Sequence, residues 1–263
     1  MRVALRPRDF VAVRGPDAES YLQAMVSNDV EALAPGEACD ALLLTPKARV
    51  IAPLTVWRQG PDDYLLLTEP GLGERVRATL VRTRFAAKCA IELEPHTSVV
   101  VLGGVDGIPT RDYGVQAVEV LDADLEATVG EDELELLRIK ARTPRFGREI
   151  DDRVLPAEAG LDERAIDFEK GCYPGQEPIA RQHYRGRVNR TLRLLAVDGD
   201  ELPDYDDELA YEGKPVGRVT SAAHDPELGV IALGYVRVEA SADAVLAVGS
   251  RAARPLDFPS PRP

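Results

Sequence analysis

The sequence predicts an α+β fold that ends in a separate all-β unit. Up to about residue 140, short apolar runs with the two-residue period of strands are interrupted by stretches with the period of an amphipathic helix. From about residue 190 onward, only strand runs and closely spaced turn residues follow. A series of strands without intervening helices favours a β-barrel or a β-sandwich for this last part of the chain.

Composition places the chain among ordinary globular proteins. Its 263 residues suit one large domain or two to three interlocked ones, and 44% hydrophobic with 29% charged residues is a typical balance. The formal net charge of -13 argues against direct nucleic-acid binding and against adhesion to membranes. No window approaches the roughly 18 apolar residues of a membrane span, and charges break the apolar run after Met1, so we expect a cytoplasmic protein.

The first predicted elements are a strand and a helix. Residues 9–14 alternate between apolar and polar side chains and end at Gly15. Pro16 then occupies the first turn of a predicted helix, where acidic residues follow it. Tyr21 and Met25 fall on one face of this helix, and we expect that face to pack in the core.

An antiparallel meander is predicted after this helix. Residues 40–44 and 50–58 show the strand pattern on either side of a turn at 45–47, and a third strand begins near Asp62. Further helices are predicted at 71–85, 131–143 and 162–168, and further strands at 90–95, 98–104 and 114–122. The helix at 131–143 must stop before Pro144.

A single cysteine lies within a basic stretch, "DFEKGCYPGQEPIARQHYRGRVNR", between Asp167 and Arg190. Lys170 stands two residues before Cys172, and a nearby cation favours the reactive thiolate. Glycines on both sides permit unusual backbone angles, and an amide and a carboxylate follow at Gln176 and Glu177. The alternative is a buried, inert thiol, which is the usual state of a free cysteine.

The other cysteines and the histidines offer little chemistry. Cys39 and Cys89 lie in or beside apolar runs and are expected to be core residues. His183 is the one candidate base near Cys172, but nothing in the sequence orients it. The spacing of the cysteines and histidines matches no zinc site, so we predict no metal site made by this chain alone.

The basic residues extend beyond the cysteine. From Lys170 to Arg193 the chain has six cationic side chains and one acidic one. This cluster suits an anionic ligand, such as a glutamate tail or phosphates, or is simply a solvated charged face.

The segment "KGCYPGQE", from Lys170 to Glu177, resembles the K-G-C-F/Y-x-G-Q-E signature of the YgfZ family. That family is the folate-binding, iron–sulfur-assembly branch of the glycine-cleavage T-protein superfamily. Residues 21–33 and 137–161 resemble further superfamily segments, and the likeness extends from residue 9 to about 250. It implies two interwoven α/β subdomains and an antiparallel β-barrel, arranged as a ring around a central folate-binding channel.

The resemblance also implies domain bounds and a reduced-folate cofactor. Residues 1–186 would form the folate-binding core, 187–255 the barrel, and 256–263 a loose tail. Arg138 aligns with a folate-contacting arginine, and Glu119 with the glutamate that holds the pterin ring, for which a carboxylate accepting two N–H groups is suited. The alternatives are a surface helix arginine and an exposed strand acid. The remaining cofactor-binding candidates are Tyr173, Gln176, Glu177 and Arg185.

One departure from the superfamily separates two functions. Aminomethyltransferases carry carboxylates on the strand that matches 50–58, and one of them lies next to the reactive folate nitrogen. This chain has Ala52 and Pro53 there, which can neither donate nor accept a proton. We therefore do not expect a classical aminomethyltransferase.

The function predicted is that of a folate-binding accessory protein for iron–sulfur cluster assembly or repair, linked indirectly to tRNA modification. Cys172 and Lys170 are its predicted reactive residues, and a transient cluster would take its remaining ligands from an assembly or client protein, since clusters usually need four. We expect a monomer. The alternative is a tetrahydrofolate-dependent aminomethyl or one-carbon transferase, with Asp40, Glu69 or Glu177 as the substitute base.

Overall fold

The computed structural model describes residues 1–186 and 188–256. Residues 257–263 of the predicted tail lie outside the described residues. Two antiparallel sheets and a closed antiparallel barrel form the framework, with helices packed on the sheets. The predicted α+β class with a C-terminal β-barrel is confirmed.

The strands are β1 (Arg2–Leu5), β2 (Asp9–Arg14), β3 (Ala38–Leu44), β4 (Val50–Gly60), β5 (Asp63–Thr68), β6 (Ala90–Leu93), β7 (Ser98–Leu102), β8 (Ile108–Thr110), β9 (Ala117–Leu121), β10 (Arg190–Val197), β11 (Glu208–Tyr211), β12 (Lys214–Asp225), β13 (Gly229–Arg237), β14 (Leu246–Val248) and β15 (Arg251–Pro255). The α-helices are α1 (Ala18–Met25), α2 (Gly73–Thr83), α3 (Glu131–Lys140), α4 (Asp162–Ala165) and α5 (Gln176–Arg185). A 3₁₀ turn covers Pro156–Ala159.

The first sheet has the strand order β3-β4-β5-β2-β6. The predicted meander is confirmed, since Leu42 pairs with Pro53 and Thr55 with Leu67 in antiparallel register. Helices α1 and α2 cover one face of this sheet, where Leu22, α2 and the strands form the largest apolar cluster. The opposite face turns towards the second sheet.

The second sheet has the order β1-β7-β9-β8, and α3 packs on it through Leu134. Sequence patterns did not predict β1 or β8. Both are short: β1 buries only Val3 and Ala4, and β8 has three residues. Runs of that length carry too few alternations for a periodic signal.

The barrel closes in the order β10-β13-β12-β11-β14-β15. Helix α3 joins it to the rest of the chain, because Ile139 packs with Leu194 and Ile231 of the barrel wall. The Tyr235 hydroxyl also donates a hydrogen bond of 2.9 Å to the Glu149 carbonyl. The three units therefore share interior surfaces, and polar side chains meet where they converge.

The sequence patterns did not predict helix α5, which lies within the basic stretch. Pro178 is the third residue of α5, where a missing N–H does no harm, although proline and glycine together look like a loop in sequence. The helix predicted at 162–168 is present but shorter, as α4.

Candidate functional site

Three adjoining cavities, which together we call the channel, lie where the two sheets, α3 and α4 meet. Its narrow middle, the channel waist, has a volume of about 50 Å³. A first mouth of about 610 Å³ shares Tyr113 and Arg138 with the waist. A second mouth of about 620 Å³ shares Pro144 and Arg164 with it. Each mouth has the size of an ordinary small-molecule site.

Paired charges fill the wall of the waist. The Arg6 guanidinium lies 3.2 Å from the Asp112 carboxylate and 3.5 Å from Glu69. Arg164 bridges two acids, with Nε donating to Asp40 at 2.9 Å and Nη2 to Asp112 at 2.8 Å. Charges that are largely removed from water are stable only when each has partners, so the network fixes the shape of the waist.

The two acids that share Arg164 differ in protonation behaviour. Burial acts to raise the pKa of Asp112, but Arg164, Arg6 and Arg8 outweigh it and lower that pKa to about 2. Burial also raises the pKa of Asp40, and there Arg164 opposes it without reversing the direction. Asp112 is therefore ionised at neutral pH, while Asp40 is the more readily protonated of the two.

Arg138, a predicted folate contact, lines both the waist and the first mouth. It lies in the last turn of α3 and is 4% exposed, so it is not the surface arginine of the alternative interpretation. Its guanidinium donates to Glu149 at 3.1 Å and to the Ser221 hydroxyl at 2.8 Å. Arg138 thus connects α3 to the barrel and faces the channel from that junction.

Glu119, the predicted pterin-holding residue, lies on β9 and is 2% exposed, so it is not an exposed acid. Its oxygens accept from Arg8 Nη2 at 2.6 Å, Arg8 Nε at 3.2 Å and the Ser98 hydroxyl at 3.1 Å. Glu119 is therefore set behind Arg8, which itself lines the waist. A ligand would reach this carboxylate only by displacing Arg8.

Two buried polar atoms at the waist have no hydrogen-bond partner among the described residues: the Tyr113 hydroxyl and Arg6 Nε. Tyr113 is 3% exposed, and both residues line the waist and the first mouth. A buried polar group without a partner is rare and requires an explanation such as an absent ligand or water. Neither Tyr113 nor Arg6 was predicted from the sequence. The local signal that could have drawn attention to Arg6 is the pair Arg6 and Arg8, which flank a proline in an acidic chain.

Lys170 takes a place that the sequence did not predict. Its ammonium group donates to the carbonyls of Gln23 at 2.8 Å, Val26 at 2.7 Å and Asn28 at 2.6 Å, at the C-terminal end of α1. These bonds use all three ammonium donors, which leaves none for Cys172. Burial lowers the pKa of Lys170 to about 8, against the opposing charge of Asp29. Lys170 anchors the cysteine loop to α1.

Cys172 is exposed, so it is not the buried thiol of the alternative interpretation. The loop is held firmly on both sides of it. Tyr173 is buried in a cluster with Leu44 of β3, and the backbone of Gly175 is left-handed, with φ 87°. A side chain at Gly175 would come within 2.6 Å of the Thr45 carbonyl, so this close approach requires glycine.

Gln176, Glu177 and His183 do not line the channel. Gln176 is the first residue of α5, and Arg185 is its last, with a side chain that lies outside the described part of the structure. Glu177 is 85% exposed and pairs with Arg181, its neighbour one turn on. The ring of His183 stacks on Phe168 with centroids 3.9 Å apart.

Two described members of the basic cluster, Arg190 and Arg193, bind different parts of the protein, while Arg187 lies outside the described residues. Arg190 pairs with Glu158 at 3.1 Å, and Arg193 donates to the carbonyls of Ala240 and Ser241. These two side chains do not form a single anion site.

Among the described residues, no group of three or more His, Cys, Asp and Glu side chains is placed to bind a metal ion. In the same ranges, no helix has the length and hydropathy to cross a membrane.

Replacing Lys170 by methionine should destabilise the fold. Three carbonyls at the end of α1 would lose a charged donor, at about 1.5–3 kcal/mol in total. Urea unfolding of Lys170→Met beside Lys214→Met, whose side chain is exposed on the barrel, measures this. The control should stay within about 0.5 kcal/mol of the wild type. A Lys170→Met protein as stable as the wild type would contradict the anchoring role.

Two family descriptions match the sequence. The GCVT N-terminal domain matches residues 9–128, and the glycine cleavage T-protein C-terminal barrel domain matches residues 190–257. Together the two matches span more than half of the chain.

Individual relatives agree with these matches. An uncharacterized protein of Haemophilus influenzae is 26% identical over 235 residues, which is 84% of each chain. An aminomethyltransferase of Rippkaea orientalis is 27% identical over 280 residues, covering 86% of this chain and 75% of the relative.

Among solved structures, the glycine cleavage system aminomethyltransferase T from Bartonella henselae superposes with a TM-score of 0.83. It is 19% identical, with 97% of this chain and 84% of that chain covered. At this identity the likeness establishes the fold. The two domain matches follow one another along the chain in the same order as in their descriptions, N-terminal domain and then barrel. The chain therefore belongs to the glycine-cleavage T-protein superfamily.

Proposed function

We propose that the protein binds a reduced folate in the channel and supports iron–sulfur cluster assembly or repair through Cys172. The observation that carries the folate proposal is that two buried polar atoms at the waist, Tyr113 Oη and Arg6 Nε, have no hydrogen-bond partner among the described residues. Their placement in a superfamily whose relatives include aminomethyltransferases supports a ligand of the folate type.

The residues present fit such a ligand. Tyr113 and Arg6 would hold polar edges of the ring system, and Arg138 would contact the ligand from the first mouth. Glu119 remains a candidate for the aminopyrimidine edge if Arg8 moves aside, because a carboxylate can accept two parallel N–H bonds. When bound, a reduced folate supplies amine nitrogens that can carry one-carbon units.

The cysteine loop supports the second half of the proposal. Lys170 and Gly175 anchor the loop, and the thiol of Cys172 remains exposed between them. A thiolate is a preferred cluster ligand, but a cluster usually takes four. Cys89 is buried, and burial raises the pKa of Cys39 to about 12, so partner proteins would supply the other ligands. Any effect on tRNA modification would pass through the iron–sulfur enzymes that perform it.

A one-carbon transferase is the second candidate, and one observation favours it. Of the substitute bases considered, Asp40 and Glu69 both line the waist beside Pro53, whereas Glu177 lies on the surface. The channel therefore retains acid–base groups despite the alanine and proline on β4. Formation of methylene-tetrahydrofolate from a methylamine donor would be the signature of this activity.

Replacing Tyr113 by phenylalanine should weaken tetrahydrofolate binding about 5- to 10-fold, the effect of losing one hydrogen bond of about 1–1.5 kcal/mol. Calorimetric titration of the wild type and of the variant measures this. Tyr184→Phe is the matched control, since Tyr184 is 65% exposed on α5. Absence of saturable binding to folded wild-type protein would overturn the folate proposal, and equal affinities would remove Tyr113 from the site.

Replacing Cys172 by serine should leave folding and folate affinity nearly unchanged, because the side chain is exposed and outside the channel wall. The same variant should fail to restore iron–sulfur enzyme activity in a strain that lacks the protein. Cys89→Ser controls for loss of a thiol elsewhere. Full complementation by Cys172→Ser would refute the proposed role of the thiol.

A further inference from the structure

The carboxylate of Asp40 stands on the channel face of the first sheet. Asp40 on β3 pairs directly with Thr55 on β4, and the next pair on the same face is Leu42 with Pro53. All four residues line the waist. Asp40 is the titratable member of this patch, so the sheet presents a single carboxyl group to the channel from these two strands.

Only one oxygen of that carboxyl group is held by its partner. Arg164 Nε lies 2.9 Å and Nη2 2.6 Å from the same atom, Oδ2. Oδ1 takes part in neither contact. The Asp40 side chain is 25% exposed and lines the waist. The geometry fixes the group through one oxygen and leaves the other free to meet a ligand.

Three charged groups act on Asp40. Arg164 approaches from α4, Asp112 from the segment after β8, and Arg8 from the turn between β1 and β2. Arg164 is shared with Asp112, which also binds Arg6 at 3.2 Å. One guanidinium cannot fully neutralise two carboxylates, so the better-supported Asp112 keeps the charge and Asp40 becomes the group that accepts a proton.

We propose that Asp40 is the proton donor and acceptor of the channel, exchanging a proton at Oδ1 with an amine nitrogen of the reduced folate. The inference rests on the proposed folate binding. In the forward direction, the O–H bond of Asp40 breaks and an N–H bond forms on the amine, which leaves the Asp40 carboxylate paired with Arg164. The reverse step returns the proton to Oδ1, and no other reactant is consumed. Asp112 stays ionised throughout and holds Arg164 in place.

Proton linkage tests this inference without an activity assay. Tetrahydrofolate is titrated calorimetrically in buffers of different ionisation enthalpy, from mildly acidic to mildly alkaline pH. With Asp40 protonated at low pH, the complex needs no proton from the buffer. Above the pKa of Asp40, binding should take up about one proton, and the affinity should fall about tenfold per pH unit.

The variant Asp40→Asn should bind with no pH-dependent proton uptake, because the amide cannot titrate. Asp200→Asn, which removes an exposed carboxylate from a barrel turn, should behave like the wild type. If wild-type protein binds tetrahydrofolate with the same proton count as Asp40→Asn, this inference fails and the proposed function stands. If the wild type does not bind at any pH, the proposed function itself is overturned, and the inference with it.

A second measurement avoids dependence on the variant's folding. In wild-type protein with ¹³C-labelled aspartate carboxyl groups, one carboxyl resonance should titrate at a higher pH than the others. After tetrahydrofolate is added, the chemical shift of that resonance should be that of an ionised carboxylate. Aspartate resonances that all titrate in the ordinary acidic range, with no response to tetrahydrofolate, would overturn the role of Asp40.

Discussion

The requirement that buried charges be paired determines how the units of this protein fit together. The waist takes Arg8 from the turn between β1 and β2, Glu119 from the second sheet and Asp40 from the first. Helix α4 contributes Arg164, which closes the set. Removing one member of a buried pair typically costs about 3–5 kcal/mol, because its partner is left desolvated and alone. The two sheets and α4 cannot shift against one another without breaking such a pair, so the pairs hold these elements in place.

This constraint also shapes what the channel can bind. Most described side chains at the waist already have hydrogen-bond or ion-pair partners, but the buried Tyr113 hydroxyl and Arg6 Nε have no hydrogen-bond partner, and Oδ1 of Asp40 lies outside the contact with Arg164. These atoms gain from a ligand without losing a protein partner, whereas Glu119 must first release Arg8. Affinity is therefore expected to come mainly from groups that the folded protein leaves incomplete, since exchanging one good hydrogen bond for another gains little.

Local patterns predicted the fold well and the site poorly, for a physical reason. Strand alternation and helical period depend on neighbours in sequence, so the meander of β3 to β5, helix α2 and the barrel strands were visible. The strands β1 and β8 are too short to show a clear alternation of apolar and polar residues. Helix α5 was not predicted because Pro178 in its first turn is typical of a loop. The role of Lys170 depends on carbonyls more than 140 residues away in the sequence. Arg164 and Asp40, which bind each other, are 124 residues apart in the sequence. The motif located an exposed thiol correctly, but partners so distant in sequence leave no local trace.

The channel and the cysteine loop are separate in space but share one support. Segment 23–28 receives the Lys170 ammonium through its carbonyls, and Asn28 in turn donates a hydrogen bond of 2.7 Å to the Asp40 carbonyl. On the other side, Gly175 presses against the Thr45 carbonyl at the end of β3. Strand β3 thus lies between the channel carboxyl group and the anchors of the thiol loop. Loosening Lys170 would disturb the backbone that positions Asp40, while changing Cys172 would not. The two residues of the motif therefore differ in their structural roles: Lys170 maintains the common support, and Cys172, the thiol proposed to react, is exposed beside it.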